Sequence, residues 1–240
     1  ALAATYTPEF MEILKDNPTT SSRLARIYFQ EWDYTMDPDK VAPVLYESIL
    51  QHLIYETCAD EIPGRINTIM NNYHLMAPAF YHVMKKGTST IFDDKTTAET
   101  DEGMPSIFDR AFLKAMRFMG RKSGPYIEDW KWGSVHKGHF SIPFMESSWI
   151  NRLMFKIKDI SYGGGDSSVH LGASNKDLAP LRITSMAAMF NNSINRIDMN
   201  FTYSTNPLSR FYYGWMKESI SFDLTFQNNK YLFTVTPQGK

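Results

Sequence analysis

The sequence predicts an α+β chain with a helical first half and a β-rich second half, and three observations carry that expectation. Up to about residue 124, apolar residues recur at three- and four-residue spacing, the period of a helix with one buried face. After Gly124-Pro125, aromatic and β-branched residues alternate with polar ones, which is the period of a strand. Hydrophobic residues make up 43% of the 240 and charged residues 21%, so the chain can bury a core that offsets its conformational entropy without disulfides or metals. This reading sets a mainly helical region at 1–124 and a β-rich region at 125–240, together one structural unit.

In order, the chain opens without Met, directly in an apolar stretch, Ala1 to Leu14, that reads as a helix and as a cut inside something longer. Thr20-Ser21-Ser22 can cap a helix through Leu24, Ile27, Tyr28 and Glu31, because short hydroxyl side chains accept from free first-turn amides. Asp37-Pro38 starts the next helix. Its Val41, Val44, Leu45, Ile49, His52 and Leu53 fall on one face and give the clearest amphipathic pattern in the chain. A third helix is expected from Ile66 to Met84, bent at Pro78 and stopped at Gly87, and a fourth from Pro105 to Met119 with Gly120 as terminator. Gly87 to Gly103 is a polar connection.

Strands are expected at Leu153–Ile160, Ser167–Leu171, Leu181–Met189 and Ile194–Tyr203, with turns at Tyr162-Gly163-Gly164-Gly165-Asp166 and Asn191-Asn192. A short helix at Leu208–Met216 precedes a closing hairpin, Ser219–Phe226 and Tyr231–Thr236, turning at Gln227-Asn228-Asn229-Lys230, where asparagine tolerates left-handed backbone.

Charge excludes some partners. Lys+Arg number 25 against Asp+Glu 26, a balance that offers no basic field to a phosphate backbone or an anionic lipid surface, so nucleic acid is not expected. No apolar run approaches the roughly 18–20 residues needed to cross a bilayer, so no transmembrane segment is expected. Cys58 is the lone cysteine; it rules out an intrachain disulfide and leaves the compartment open.

The strong catalytic signatures are missing: no H-E-x-x-H, Gly-x-Ser-x-Gly, Walker or dinucleotide glycine pattern, and no C-x-x-C. The weaker features have plain structural readings. His136 and His139 lack a third ligand at usable spacing and read as hydrogen-bonded histidines near a strand edge. His52 reads as a satisfied core histidine. Gly163-Gly164-Gly165-Asp166 has no following helix start or lysine and reads as a turn rather than an anion cradle. Asp93-Asp94 and Asp101-Glu102, among Lys95, Thr96, Thr97 and Thr100, read as a solvated loop rather than as a calcium or acid–base pair. No catalytic, cofactor-binding or metal-binding residue and no cofactor is assigned.

The order of the motifs adds more. Arg23-Leu24-Ala25-Arg26 leading to Trp32-Asp33-Tyr34, then Ile91-Phe92-Asp93-Asp94-Lys95-Thr96, then Trp130-Lys131-Trp132-Gly133-Ser134-Val135-His136, resembles the C-terminal part of the β chain of the penicillin amidase (penicillin acylase) family. The similarity continues through Gly163-Gly164-Gly165-Asp166-Ser167-Ser168-Val169, Arg182, and the serine-proline loop Ser204-Thr205-Asn206-Pro207-Leu208-Ser209-Arg210-Phe211-Tyr212-Tyr213-Gly214-Trp215. That loop departs from the family in lacking its usual glycine and in carrying Phe211-Tyr212 where a histidine-tyrosine pair is common.

The resemblance implies a C-terminal part of an αββα N-terminal-nucleophile hydrolase sandwich. In such an enzyme a serine exposed by self-cleavage is activated by its own α-amine, while backbone and asparagine donors hold the oxyanion. It implies that the nucleophile precedes this chain, so that Ser141 and Ser204 are not promoted to that role and the chain alone is inactive. Implied partners are the upstream part of the β chain and the α chain of the same precursor. The implied substrate is a small-molecule amide of an apolar acyl group, such as a β-lactam side chain or an acyl-homoserine lactone, and an extracytoplasmic location goes with it. A different class of function, a non-catalytic binding or interaction domain gripping a partner through Trp130, Trp132 and Trp215, would show as exposed tryptophans on one face.

Overall fold

The computed structural model describes residues 2–86, 90–96, 102–138, 148–150, 160–166, 172–183, 186–190, 195–199, 220–227 and 230–237. The chain divides into two units: residues 1–137 with 161–182, and residues 138–160 with 183–240.

The first unit is built on helices. α1 (Leu2–Leu14) and α2 (Thr20–Gln30) precede the central helix α3 (Ala42–Cys58), followed by α4 (Ile66–Met70), α5 (Ala77–Lys86), α6 (Met104–Ser123) and α7 (Trp132–Val135). In α1, Tyr6, Phe10 and Leu14 repeat every four residues and are all buried, as the helical period requires. The cap of α2 is Thr19, whose hydroxyl accepts from the Ser22 amide at 3.1 Å, one residue before the expected Thr20.

α3 departs from the amphipathic expectation. Its Glu47, Ser48, Gln51, Glu56 and Thr57 are buried along with its apolar residues, so it is surrounded on almost every side, as a helix at the centre of a layered domain is. Its start is also later than expected. Asp37 turns the chain instead, its Oδ1 accepting from the Asp39 amide at 2.8 Å, and Pro43, not Pro38, takes the first-turn position where a missing N–H costs nothing.

The single helix expected over residues 66–84 is broken into α4, a 3₁₀ turn at Tyr73–Leu75 and α5. Pro78 sits in the first turn of α5 and bends nothing. α6 runs through Gly120 to Ser123, and Gly124, at φ 95°, ends it in the conformation that favours glycine.

The expected fold class is corrected. The described residues are helix-rich, with seven α-helices, and their strands make two short pairs and one four-stranded meander rather than an αββα sandwich. The misreading has a physical source just after residue 125. The aromatic and β-branched residues there, Ile127, Trp130, Trp132 and Val135, are buried from a 3₁₀ turn and the one-turn helix α7, which fill the helical core as well as a strand would.

Strands in and beside this unit are short. β1 (Lys137–Gly138) pairs with β2 (Ile160–Ser161), and β3 (Gly172–Ser174) with β4 (Pro180–Ile183). In the second unit, β5 (Met186–Phe190), β6 (Asn195–Met199), β7 (Ile220–Gln227) and β8 (Lys230–Pro237) form one antiparallel four-stranded meander. Register runs from Met186 opposite Met199, through Met199 opposite Ile220, to Gln227 opposite Lys230. The expected strand 181–189 is thus two strands, and the two strands of the closing hairpin pair antiparallel from Ile220 opposite Pro237 to Gln227 opposite Lys230. The expected strand at 167–171, most of that at 153–160 and the helix at 208–216 lie outside the described residues.

Candidate functional site

The first unit closes around a cluster of polar groups beneath the glycine-rich turn. α7 and the turn are laced to the segment before α3 by backbone hydrogen bonds: Trp132 N–H to the Lys40 carbonyl at 2.9 Å, Gly133 N–H to Pro38 at 2.7 Å and Gly164 N–H to Met36 at 2.8 Å. Trp132 then donates from Nε1 to the Gly164 carbonyl at 3.0 Å. The approach is close enough that a Cβ on Gly163 would stand 3.0 Å from the Met36 carbonyl oxygen and 3.1 Å from the Pro38 ring, so side chains there are excluded by packing.

This lacing delivers Asp166 to the helices. Its Oδ2 lies 3.2 Å from Nδ1 of His74, both side chains being nearly buried. Beside them Glu47, from the middle of α3, accepts a 2.7 Å hydrogen bond from the Tyr73 hydroxyl. Burial pushes the Glu47 carboxyl up to about 7, Tyr73 opposing and the charge of Asp166 adding to the rise, because a carboxylate without water is costly. These four groups border a cavity of about 40 Å³ that Met36, Tyr46 and Ala77 also line, room for one or a few waters rather than for an organic substrate.

A second, open cavity of about 450 Å³ lies between α3 and α6, lined among others by His52, Glu56, Lys114 and Phe118. His52 places Nδ1 2.8 Å from the Ser48 carbonyl oxygen; burial lowers its pKa. Neither cavity contains a serine, threonine or cysteine.

His136 is fully buried, stacked on Trp132 at 4.3 Å and 14° with Nδ1 2.8 Å from the Tyr162 carbonyl; His139 lies outside the described residues. Asp94 and Glu102 are brought together, but by a cation: Arg110 reaches Asp94 at 3.1 Å and Glu102 at 3.2 Å, with Glu56 at 3.6 Å. Asp101, Ser141, Ser204 and Trp215 lie outside the described residues. Trp130 and Trp132 are 2% and 0% exposed, so neither is free to grip a partner. Among the described residues no group of three or more histidine, cysteine or acidic side chains is placed to hold a metal, and no helix is long and apolar enough to cross a membrane.

Sequence reasoning passed over Glu47 and Tyr73. The available signal was an acidic residue inside the α3 apolar run, a position that demands a partner once buried.

With this geometry in view, comparison by family model is decisive: the model described as penicillin amidase matches residues 1–217. The chain belongs to the penicillin amidase family. Among curated proteins none matches it. In this penicillin amidase chain the match takes in all seven helices and β1 to β6. The glycine-rich turn with Asp166 and the carboxylate cluster beneath it therefore lie inside the family region.

Proposed function

We propose that this chain is a scaffold segment of an amide hydrolase and that the nucleophile lies outside it. In this reading the helical unit braces the glycine-rich turn, and the complete enzyme cleaves the linear amide between an apolar acyl group and an amine, such as a β-lactam side chain or an acyl-homoserine lactone. Its partners are the upstream part of the β chain and the α chain of the same precursor. The reading is supported by the penicillin amidase match over residues 1–217. It agrees with the chemistry of the two cavities, whose walls hold carboxylates, histidine, tyrosine and cations but no serine, threonine or cysteine.

The test is hydrolysis of chromogenic phenylacetyl and longer acyl amides by this chain, beside the gene product expressed with any residues that precede it. Turnover by the longer protein alone is the expected result. Turnover by this chain alone overturns the reading and places a nucleophile within residues 1–240. Activity in neither brings forward a non-catalytic interaction role.

A further inference from the structure

Lys114, Arg117 and Arg121 stand three and four residues apart on α6 and therefore share one face of that helix. They line the open cavity of about 450 Å³ against α3, with Lys176 from the connection between β3 and β4. That volume falls within the roughly 300–1,000 Å³ of small-molecule pockets. Lys114 is already committed, its Nζ lying 2.7 Å from each oxygen of Glu56. Arg117, Arg121 and Lys176 make no ion pair among the described residues, and apart from Glu56 the groove holds one carboxylate, Asp177. The chain as a whole carries 25 basic and 26 acidic residues, so this local excess of positive charge is a feature of the groove and not of the composition.

Two further observations narrow what would sit there. Gln51 is 6% exposed, gives its amide N–H to the Lys176 carbonyl and so holds the connection in place, while its Oε1 has no hydrogen-bond partner among the described residues. A buried acceptor left unpaired costs free energy until a donor arrives. Phe118, whose ring packs 5.4 Å from that of His52, and Met70 give the groove an apolar wall.

We propose that this groove binds a small organic carboxylate that carries an N–H or O–H donor next to an apolar body. The guanidinium groups of Arg117 and Arg121 take the carboxylate, whose planar geometry they match. Phe118 and Met70 cover the apolar body, and Gln51 Oε1 accepts from the donor. The site is separate from the carboxylate cluster under the glycine-rich turn and stands whether or not the amide-hydrolase reading does.

Isothermal titration of the full chain with N-acetyl-L-phenylalanine tests it, beside the neutral carboxamide of the same compound and inorganic phosphate. Saturable binding of the carboxylate is expected, weakened about tenfold or more in R117Q/R121Q and unchanged in R23Q/R65Q, which removes two arginines elsewhere. Unaltered thermal unfolding of both double variants shows that the fold is kept. The proposal is overturned by an absence of binding, by equal affinity in R117Q/R121Q, by equal binding of the carboxamide, or by phosphate competing at equal concentration.

Discussion

Tyr73 donates its hydroxyl to Oε2 of Glu47 at 2.7 Å, and the two side chains are buried together, at 0% and 5% exposure, where α3 meets the 3₁₀ turn before α5. A single neutral donor stabilises a buried carboxylate less than the water it replaces. Burial therefore wins and the group is held up at about 7 against an ordinary 4.5.

That elevation makes stability depend on pH in a defined window. The folded state keeps the Glu47 proton while the unfolded chain loses it, so the contribution is fully present below about pH 4.5 and is lost as pH rises through about 7. The size is about 3 kcal/mol across the window. Urea unfolding at several pH values is expected to show the native chain losing this amount relative to E47Q, whose amide oxygen still accepts from Tyr73 but does not titrate. Parallel pH profiles for the two proteins would show that Glu47 does not carry the effect.

Two glycines are expected to respond to alanine in opposite directions. A Cβ on Gly133 would stand 2.8 Å from both Pro38 Cβ and Ser161 Cβ, whereas one on Gly120, inside α6, meets nothing within 4 Å. G133A should destabilise by about 1–3 kcal/mol through overpacking. G120A should stabilise by about 0.5–1 kcal/mol, because glycine in a helix interior retains more freedom in the unfolded chain. Thermal unfolding of the pair checks both, and a neutral G133A would mean that α7 can move away from the segment before α3.

Helices were legible wherever period and caps agreed, and illegible where tertiary packing set the outcome. The hydroxyl cap of α2 and the apolar repeat of α1 are local chemistry, and the structure has both within a residue. The break of residues 66–84 into α4, a 3₁₀ turn and α5 is not local: it brings Tyr73 to Glu47 and His74 to Asp166, partners 26 and 92 residues away. The run from Ile127 to Val135 looks the same to a period count whether it packs as a strand or as a short helical turn. The candidate cluster stayed hidden for a related reason, since Glu47 reads as one polar residue of an amphipathic helix until α3 is seen to be enclosed.

Arg110 is expected to act as the clamp of three acids. Glu56, Asp94 and Glu102 lie 3.6, 3.1 and 3.2 Å from its guanidinium, and Glu56 is the most buried of them. R110M leaves Lys114 to answer Glu56 but removes the cation from Asp94 and Glu102. A loss of about 1–3 kcal/mol is expected, reduced from the fully buried case because Arg110 keeps 29% of its side-chain surface in water. Urea unfolding at low and high salt separates the terms: the deficit should shrink as salt screens the acids. A deficit independent of salt would point instead to lost packing of the arginine stem.

Cys58, the last residue of α3, is 4% exposed, and burial together with the nearby charges of Asp60 and Glu61 pushes its thiol up to about 11. Only the thiolate attacks a disulfide reagent, so at neutral pH both access and ionisation hold the native thiol inert. Labelling with an aromatic disulfide reagent should therefore be slow in buffer, complete at once in strong denaturant, and in between should track the opening of α3. The same rate would be slowed by G120A and hastened by R110M, since each shifts the population of the unfolded chain without touching the sulfur. Prompt stoichiometric labelling of the native chain at neutral pH would show that the C-terminal end of α3 opens independently of the rest of the unit.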